Sequence, residues 1–484
     1  MPPTARKIAP VLLPKVPTGI EGFDEITGGG LPKGRTTLVC GGAGCGKTIF
    51  AVGFLVHGAV RYGEPGVCIE FEEAAEKLST NVQSLGFDLR KLVRTRKLFV
   101  DHVRVERDEI EESGAYNLDG LFIRLAHAVA AVKAKRVVLD SIESLFAGIS
   151  DAGLLRSELH RLFRWLDEHL LTAIVTAEAG NGRITNLGLE EYLADCVVSL
   201  DHRVSEQFST RRLRIVKYRG SSHGTDEYPY IIDADGISVL PITSLALSHR
   251  ASNARASSGI PALDRMLGGK GFFRGSSILV SGAAGTGKSS IAAMFTSSAC
   301  ARGENVLYFA FEESPNQIAR NMRSIGVHFQ PWIQKRLLHF HAVRPTSIGL
   351  EGHLVAMQKL IRRMRPKVVV VDPLTSIVSV SGICGVKSML TRLVDFLKVQ
   401  QITSMFTGLT GPVETTEEGV SSLMDVWIVL SDNERSGSRK RGLRIVKSRG
   451  MAHSRELREL VMKKGRIDLG EVLTDQRFAA AVKN

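Results

Sequence analysis

The 484-residue sequence is poor in aromatic side chains, which make up 6% of it. Its basic residues cluster at 90–97, 362–367 and 435–444, and none of these clusters interleaves aromatic residues with the basic ones. Surfaces that bind single-stranded nucleic acid combine both kinds of side chain. We therefore interpret the clusters as solvated faces, although the net charge of +13 also fits a nucleic-acid binder or a protein with two polyphosphate sites.

Long apolar runs and paired cysteines are missing as well. No run approaches the roughly 18 residues that a membrane-spanning helix needs. The N-terminal segment 1–16 is interrupted by prolines and has no signal-like apolar core. The six cysteines include no C-x-x-C pair. The sequence therefore predicts a cytoplasmic protein with ordinary reduced thiols.

The most informative feature of the sequence is an internal repeat. Four segments that begin at residues 18, 67, 135 and 212 return in the same order at residues 258, 307, 367 and 442. Because the spacing between matching residues stays between 230 and 241, we infer a duplicated domain. We place the two domains at 1–244 and 245–484, with a linker in 241–258.

Within each half, short apolar runs alternate with segments of helical pattern. In the first half the runs are TTLVC, GVCIEF, LFVDHV, RVVLD, TAIVTAE and DCVVSL, followed by RLRIVKYR. Runs that are apolar without alternation are typical of strands buried on both faces of a parallel sheet. The sequence therefore predicts a three-layer α/β domain, twice, with ligands at the carboxyl ends of the strands.

Each half carries one glycine-rich loop of the form G-x-x-x-x-G-K-[ST], between an apolar run and a helical segment. Backbone N–H groups of such a loop surround nucleotide phosphates, the lysine adds a cation, and the final hydroxyl ligates Mg²⁺. We therefore predict that each half binds ATP and Mg²⁺. The predicted contacts are Gly44, Cys45, Gly46, Lys47 and Thr48 in the first half, and Gly285, Thr286, Gly287, Lys288 and Ser289 in the second.

An aspartate ends a matching apolar run in each half, at Asp140 and Asp372. A buried acid is costly unless it holds a metal or the water of a metal. Taken singly, such an aspartate is as often a helix N-cap. Its recurrence at the matching place favours a role in orienting Mg²⁺.

A glutamate pair follows a strand-like run in each half, as Glu72–Glu73 and Glu312–Glu313. Because close carboxylates disfavour each other's ionised form, we expect one raised pKa and a general base in each pair. We choose Glu72 and Glu312 to align the attacking oxygen, with Glu73 and Glu313 in support. The alternative, which does not exclude this role, is that the pairs start the following helices.

A fourth motif, K-x-R-G-x-x-H, lies near the end of each half. Its residues are Lys217, Arg219 and His223 in the first half and Lys447, Arg449 and His453 in the second. In an extended segment the lysine and arginine project from one face. They could neutralise charge on a γ-phosphate or form a surface ion-pair ladder. Duplication of the whole motif favours the nucleotide role.

This set of motifs resembles the KaiC family, the double-domain RecA-like ATPases of the cyanobacterial clock and their relatives in other bacteria. The resemblance runs from GIEGFDEIT to about residue 465 and includes FAFEES and RASNARASSGIPALDRMLGGKGFF. It implies two RecA-like P-loop domains in a homohexameric double ring with ATP between neighbouring subunits. It also implies a slow ATPase in the N-terminal ring and, in the C-terminal ring, an autokinase that can dephosphorylate itself.

The resemblance also implies roles for single residues. Glu312 would deprotonate or orient the acceptor hydroxyl and join the Mg²⁺ ligands, and Glu72 would orient the hydrolytic water. Ser421 and Ser422 align with the phosphorylated pair, which is Ser–Thr in many relatives, whereas two serines beside acids are otherwise typical of a polar loop. The residues implied to contact nucleotide, several of them in the adjacent subunit, are Ser84, Lys217, Arg219, His223, Lys447 and Arg449, with Arg211 and Arg441 nearby.

Three departures from the family pattern qualify these expectations. Ile325 stands where some relatives place an aromatic residue near the second adenine, and Ser290 stands where some carry an acid. The chain ends at RFAAAVKN without the family's long C-terminal tail. Since that tail binds the clock's stimulatory partner in cyanobacteria, we expect no KaiA-like partner.

We therefore predict a hexameric ATPase with serine autokinase and autophosphatase activity that acts as a clock-like or stress-signalling switch. The expected output partner is a KaiB-like protein or a histidine kinase. We expect neither a membrane nor a nucleic acid as a partner. Two alternatives stay open. One is a RecA-like DNA-dependent ATPase, which the charge favours and the lack of a recognisable DNA-binding appendage opposes, and the other is a nucleotide-locked scaffold with negligible turnover.

Overall fold

A computed structural model describes residues 13–103, 118–146, 151–180, 184–186, 188, 190–205, 208–241, 251–347, 349–378, 383–409, 421–435, 438–463 and 466–473. The chain divides into two compact units, Met1–Thr243 and Ser244–Asn484. None of the helices in the described ranges is long and apolar enough to cross a membrane.

The first unit alternates strands and helices along most of its length. Its strands are β1 (Lys15–Val16), β2 (Leu31–Pro32), β3 (Thr36–Gly41), β4 (Gly66–Glu70), β5 (Leu98–His102), β6 (Arg136–Asp140), β7 (Thr172–Glu178), β8 (Cys196–Ser205), β9 (Phe208–Tyr218), β10 (Glu227–Asp233) and β11 (Gly236–Val239). Its helices are α1 (Phe23–Ile26), α2 (Lys47–Arg61), α3 (Ala75–Gln83), α4 (Leu89–Arg94), α5 (Asp119–Val132), α6 (Ile142–Leu145), α7 (Ala152–Glu168) and α8 (Glu190–Leu193).

The second unit repeats this order of elements. Its strands are β12 (Arg255–Ala256), β13 (Phe272–Phe273), β14 (Ser277–Gly282), β15 (Val306–Ala310), β16 (Leu338–Ala342), β17 (Val368–Asp372), β18 (Thr403–Leu409), β19 (Val426–Arg435), β20 (Ser438–Ser448), β21 (Arg458–Lys463) and β22 (Arg466–Val472). Its helices are α9 (Pro261–Met266), α10 (Lys288–Ala301), α11 (Pro315–Arg323), α12 (Gln330–Gln334), α13 (Leu350–Met364), α14 (Leu374–Val378) and α15 (Ile383–Val399), with a 3₁₀ turn at Pro345–Ser347.

The main sheet has the same topology in both units. Its strand order is β11-β10-β9-β8-β3-β7-β6-β4-β5 in the first unit and β22-β21-β20-β19-β14-β18-β17-β15-β16 in the second. The six strands from β8 to β5, and from β19 to β16, run parallel, and the other three are antiparallel. The predicted α/β fold with a mainly parallel sheet is confirmed, and all seven predicted runs of the first half are strands. The hairpin β10–β11 was not predicted.

Helices cover both faces of the first unit's sheet, because neighbouring residues of a strand point to opposite sides. Val39 and Ile174 pack in one apolar cluster with Phe50 and Phe54 of α2. Leu38, the neighbour of Val39, packs in another cluster with residues of α5 and α7. The central strands are therefore apolar throughout, which explains why their sequences show no alternation.

This topology separates two groups of polar residues. The glycine-rich loops and the predicted catalytic acids follow the carboxyl ends of parallel strands, where open α/β sheets bind ligands. The ends of β9 and β20, which run antiparallel to their neighbours, lie at the opposite, amino end of the sheet. The K-x-R-G-x-x-H motifs begin there.

Candidate nucleotide sites

The glycine-rich loops have the backbone conformation that phosphate binding needs. Gly46, with φ of 95°, caps α2, and Gly287, with φ of 106°, caps α10. A Cβ atom at Gly46 would lie 2.7 Å from Ile232 Cδ1, and one at Gly287 would lie 2.1 Å from Met462 Cε. Glycine is therefore favoured at both positions by the left-handed φ, and a larger residue would also have to displace the ends of the Ile232 and Met462 side chains. The loop amides are left at a helix N-terminus, which favours phosphate.

The lysine of each loop lies across the loop opening. Lys47 Nζ donates to the carbonyls of Gly41 (2.9 Å) and Gly42 (3.3 Å). Lys288 Nζ makes the matching bonds to Gly282 and Ala283, both at 2.8 Å. Burial lowers the pKa of Lys288. Each ammonium group is therefore held where the phosphates of a bound nucleotide would lie.

Each predicted aspartate contacts the hydroxyl that ends its glycine-rich loop. Ser289 Oγ donates to Asp372 Oδ1 at 3.1 Å, and the Thr48 hydroxyl lies near Asp140 and favours the ionised form of that carboxyl. Burial raises the pKa of Asp140, and its Oδ2 is a buried acceptor with no hydrogen-bond partner among the described residues. A hydroxyl beside a carboxylate offers the oxygen ligands that Mg²⁺ prefers, so these residues fit a magnesium ion.

The first glutamate of each pair is held by hydroxyl groups. Glu72 accepts hydrogen bonds from Ser141 and, at 2.7 Å, from Ser144, and Glu312 accepts one from Ser376. The expectation of a raised pKa at Glu72 is wrong. Its pKa is lowered, because hydroxyl donors stabilise the ionised carboxylate. Glu72 is therefore suited to stay ionised and orient a nucleophile.

The second glutamate of each pair contacts the following helix instead. Glu73 accepts a hydrogen bond from Asn81 of α3 at 2.8 Å and pairs with Lys77. Glu313 accepts one from Asn321 of α11 at 3.2 Å. These contacts are those of acids at a helix start, the alternative weighed for the pair.

A raised pKa does occur in the first unit, at Glu70, which was not among the predicted site residues. Glu70 is 3% exposed, and burial together with the charge of Asp140 raises its pKa to about 8. The Cys68 thiol donates to it at 3.2 Å. In the second unit the matching residues are Tyr308, which donates to Asp372, and Ala310. The sequence signal that could have identified Glu70 is its position as a charged residue within the otherwise apolar run GVCIEF.

Glu70 should make the first unit less stable as pH rises. Its pKa is about 8 in the folded protein and 4.5 by reference, so the folded state binds the proton more tightly. The contribution of Glu70 to the free energy of unfolding is therefore full below pH 4.5 and falls as pH rises towards 8, by at most about 1.4 kcal/mol per pH unit. We expect Glu70→Gln to flatten this fall. The measurement is urea unfolding at pH 6 and pH 8, without nucleotide or Mg²⁺. Hydrogen exchange of the β4 amides reports the unfolding of the strand that contains Glu70.

The matched control for this prediction is Glu76→Gln, which removes an exposed carboxylate from α3. This variant should keep the pH dependence of the wild type. Parallel stability curves for the wild type and Glu70→Gln would contradict the assignment.

The cations of the K-x-R motif converge on backbone carbonyls, in the same way in both units. Lys217 Nζ donates to Glu191 O (2.9 Å) and Tyr192 O (3.1 Å), and Arg219 donates to Tyr192 O (3.0 Å). The two cations therefore do lie on one face. We call each lysine–arginine pair, Lys217–Arg219 or Lys447–Arg449, the clamp of its unit.

In the second unit the clamp holds the predicted phosphorylation segment. Lys447 Nζ donates to Ser421 O (2.9 Å) and Ser422 O (3.4 Å), and Arg449 donates to Ser422 O (2.7 Å). Ser421 is buried, with 7% of its surface exposed, whereas Ser422 is exposed. The clamp also approaches Asp425, which lies 3.9 Å from Arg449.

The clamp lies far from the phosphate loop of its own unit. Ser277 begins β14 and bonds Asp425, next to the clamp, while Gly282 ends β14 at the loop. The five residue steps between them span about 16 Å at about 3.3 Å per residue. The clamp and the nearby serines therefore cannot contact a γ-phosphate bound in the same unit.

The remaining predicted contacts have local partners. Arg441 lies opposite Asp432 of β19 in the strand register, at the end of β20 that is nearer the phosphate loop. One of its guanidinium nitrogens contacts Met462 Sδ at 3.5 Å. Arg211 occupies the matching place on β9. The Ser84 hydroxyl donates to Asn81 O at the end of α3, and His223 lies over the ring of Tyr218 with 6.2 Å between centroids.

Two units with this sheet order, phosphate loop and acidic strand ends define a tandem P-loop protein of the RecA-like kind. A model of the ATPase family KaiC matches residues 16–244 and again residues 256–472. The chain therefore belongs to the KaiC family of ATPases, as the sequence resemblance predicted.

Individual relatives cover nearly the whole chain. The circadian clock protein KaiC2 of Synechocystis sp. is 51% identical over 472 residues, which is 95% of this chain and 83% of that protein. The circadian clock protein KaiC3 of the same organism is 40% identical over 92% of this chain and 89% of its own length. The circadian clock oscillator protein KaiC of Parathermosynechococcus lividus is 37% identical over 94% of this chain and 85% of its own length.

Proposed function

We propose that this ATPase is a homohexamer in which each nucleotide is bound by one subunit and completed by the clamp of its neighbour. The observation that carries the proposal is the position of the clamp and of Ser421–Ser422, about 16 Å along the sheet from the phosphate loop of the same unit. In a head-to-tail ring, the same two different surfaces meet at every subunit contact. We propose that these surfaces are the amino end of one sheet and the carboxyl end of the next.

In the second unit we propose phosphoryl transfer to serine. The Ser422 oxygen of one subunit attacks the γ-phosphorus of ATP bound by the neighbour, forming an O–P bond as the bond to ADP breaks. The Glu312 carboxylate of the nucleotide-binding subunit accepts the hydroxyl proton, and the clamp cations stabilise the charge on the transferring group. Loss of the phosphoryl group from serine, to ADP or to water, makes the same site an autophosphatase.

In the first unit we propose hydrolysis of ATP by water. Glu72 orients the water, and its bonds from Ser141 and Ser144 keep the carboxylate ionised and fixed. Mg²⁺, when bound at Thr48 and Asp140 or at Ser289 and Asp372, supplies charge neutralisation at the β- and γ-phosphates. The hydroxyl–carboxylate contacts described above orient these ligands.

The proposed role is a clock-like or stress-signalling switch whose phosphorylation state is read by another protein. A KaiB-like protein or a histidine kinase is the proposed reader. The names of the relatives support this class of role, since each is called a circadian clock protein or a circadian clock oscillator protein.

The test is incubation of purified protein with Mg²⁺ and γ-labelled ATP. We expect label on Ser422 before Ser421, because Ser422 is exposed and Ser421 is buried. The Ser421→Ala/Ser422→Ala variant should lose the label while still hydrolysing ATP in its first unit. Mass spectrometry of the phosphopeptides gives the order of labelling.

The matched control is Ser454→Ala, which removes a serine next to His453, outside the clamped segment. It should label like the wild type. An unlabelled wild-type protein that hydrolyses ATP in saturating Mg-ATP would contradict the autokinase and would favour a simple ATPase.

A further inference from the structure

Asp425 links the clamp of the second unit to the central strand β14. Its amide donates to Ser277 O at 2.9 Å, and its carboxylate accepts a hydrogen bond from Ser277 N at 2.9 Å. Its carbonyl accepts one from Arg449 N at 2.8 Å. Met424, its neighbour in sequence, donates from its amide to Ser421 O at 3.2 Å. The position of Asp425 therefore sets the positions of both the clamp arginine and the serine segment.

Two cations approach the carboxylate of Asp425. Lys398, in the last turn of α15, donates from Nζ to Asp425 Oδ1 at 3.0 Å, and the two side chains are only 15% and 19% exposed. One guanidinium nitrogen of Arg449 lies 3.9 Å from the same oxygen, while another donates to Ser422 O at 2.7 Å. The lysine therefore makes the closer contact to the carboxylate, and the arginine stays directed at the serine segment.

The first unit pairs the matching carboxylate with a cation from another element. Asp195 accepts a hydrogen bond from Arg35 at 3.3 Å and lies 3.8 Å from the clamp residue Arg219, whose amide donates to Asp195 O at 2.8 Å. Arg35 comes directly before β3, whereas the residue directly before β14 is Ser276. The cation thus comes from the start of a strand in the first unit and from the end of a helix in the second.

The helix position that supplies the cation in the second unit carries an acid in the first. Asp167 of α7 matches Lys398, since each lies three residues before a residue with left-handed φ, Leu170 at 53° and Gln401 at 56°. Burial, together with the charge of Asp195, raises the pKa of Asp167, which shows that this side chain lies near the same aspartate. The helix and strand positions therefore differ together between the units, and each unit keeps a cation on its aspartate.

We propose that Lys398 is a positioning residue for the phosphorylation of serine in the second unit. Its pairing with Asp425 keeps the guanidinium group of Arg449 on the acceptor segment, where that group meets the phosphoryl group of the neighbour's nucleotide. Without the lysine, the mostly buried carboxylate would have to pair with Arg449 instead, because a buried charge without a partner is costly. The arginine would then leave Ser422. This inference rests on the proposed serine autokinase.

The test replaces Lys398 with methionine, which keeps most of the length of the side chain and removes its charge. We expect the initial rate of γ-label incorporation at saturating Mg-ATP to fall by about 10- to 100-fold, the size of effect that a small misplacement of a catalytic group has. Lys398→Arg keeps the cation and should retain most of the rate. The matched control, Lys367→Met, removes an exposed lysine just before β17 and should label at the wild-type rate.

The first unit suggests a second rescue, which a lysine that only packs against its neighbours would not allow. Ser276→Arg/Lys398→Met moves the cation to the position that Arg35 has in the first unit. A cavity of about 390 Å³, lined in part by Ser276, Asp425 and Arg449, has room for the new side chain. This variant should label faster than Lys398→Met. The inference is overturned if Lys398→Met labels like the wild type, or if neither arginine variant labels faster than Lys398→Met.

Mixed rings show which chain needs the lysine. Lys398→Met is placed either on Lys288→Ala chains, which offer the serines, or on Ser421→Ala/Ser422→Ala chains, which offer the phosphate loop. Only the first placement should slow labelling, because Lys398 acts on the clamp and the serines of its own chain. Equal slowing in both mixtures would mean general damage to the second unit and would overturn the inference. Wild-type protein is measured in parallel, and its failure to label would contradict the proposed autokinase itself.

Discussion

Replacing Arg449 with alanine should slow phosphorylation of Ser421 and Ser422 by on the order of 10³-fold. An arginine supplied from a neighbouring protein chain stabilises the charge of a transferring phosphoryl group, and this raises the rate of transfer by factors of this size. Arg449 is the clamp cation with the shortest contact to the serine segment, 2.7 Å to Ser422 O, so its loss removes both the charge and the support of the acceptor. The measurement is the initial rate of γ-label incorporation at saturating Mg-ATP.

Two controls separate the charge from a general effect on the second unit. Arg458→Ala removes an arginine on β21 that pairs with Glu456, and it should label at nearly the wild-type rate. Arg449→Lys keeps a cation and should retain part of the activity. If Arg449→Ala labels within about threefold of the wild type, the arginine takes no part in transfer.

The second large effect is expected at the two glutamates held by serine. Glu312→Gln should lower the rate of serine labelling by about 10²- to 10⁴-fold, the usual contribution of a positioned general base. Glu72→Gln should do the same to ATP hydrolysis by the first unit. Each glutamine still accepts a hydrogen bond but has no negative charge and cannot take a proton. The change therefore removes the proton acceptor at Glu312 and the charged group that orients water at Glu72, with little loss of packing.

A crossed design makes this prediction specific to each unit. Hydrolysis and labelling are measured for both variants, and each variant should lose mainly the activity of its own unit. The controls are Glu73→Gln and Glu313→Gln, whose carboxylates contact Asn81 and Asn321 of the following helices. Equal losses from both members of a pair would contradict the division of roles.

Much of the fold could be predicted because each local signal agrees with the tertiary structure. The apolar runs TTLVC and RVVLD are strands because both of their faces are buried, and the motifs follow from their place at strand ends. The hairpin β10–β11 was missed, although its Asp235–Gly236 dipeptide is a turn signal. Its packing against Gly46 depends on contacts with residues distant in sequence.

The electrostatics of the site could not be predicted from spacing along the chain. Adjacent glutamates suggested a raised pKa at Glu72, but the hydroxyls of Ser141 and Ser144, about 70 residues away in sequence, reverse the direction. The glutamate whose pKa is raised is Glu70 instead, because the effect of burial there outweighs that of hydrogen bonding. Burial and distant donors become known only with the fold.

The place of the clamp also needed the topology. Spacing predicted that Lys447 and Arg449 share a face, but it left open whether they reach a nucleotide or form surface ion pairs. Because β20 runs antiparallel to β19, the clamp lies at the amino end of the sheet, beside Asp425 and away from its own phosphate loop. That direction supports a nucleotide completed by a neighbouring subunit.

Mixed rings give the most direct measurement of this claim. Lys288→Ala chains keep Ser421 and Ser422 but have a disabled second phosphate loop, and Ser421→Ala/Ser422→Ala chains keep the loop but offer no acceptor. Each variant alone should stay unlabelled. Rings assembled from an equal mixture should label the Lys288→Ala chains, up to about half of them at random order. Mixed rings that assemble in ATP and remain unlabelled would contradict a site shared between neighbours.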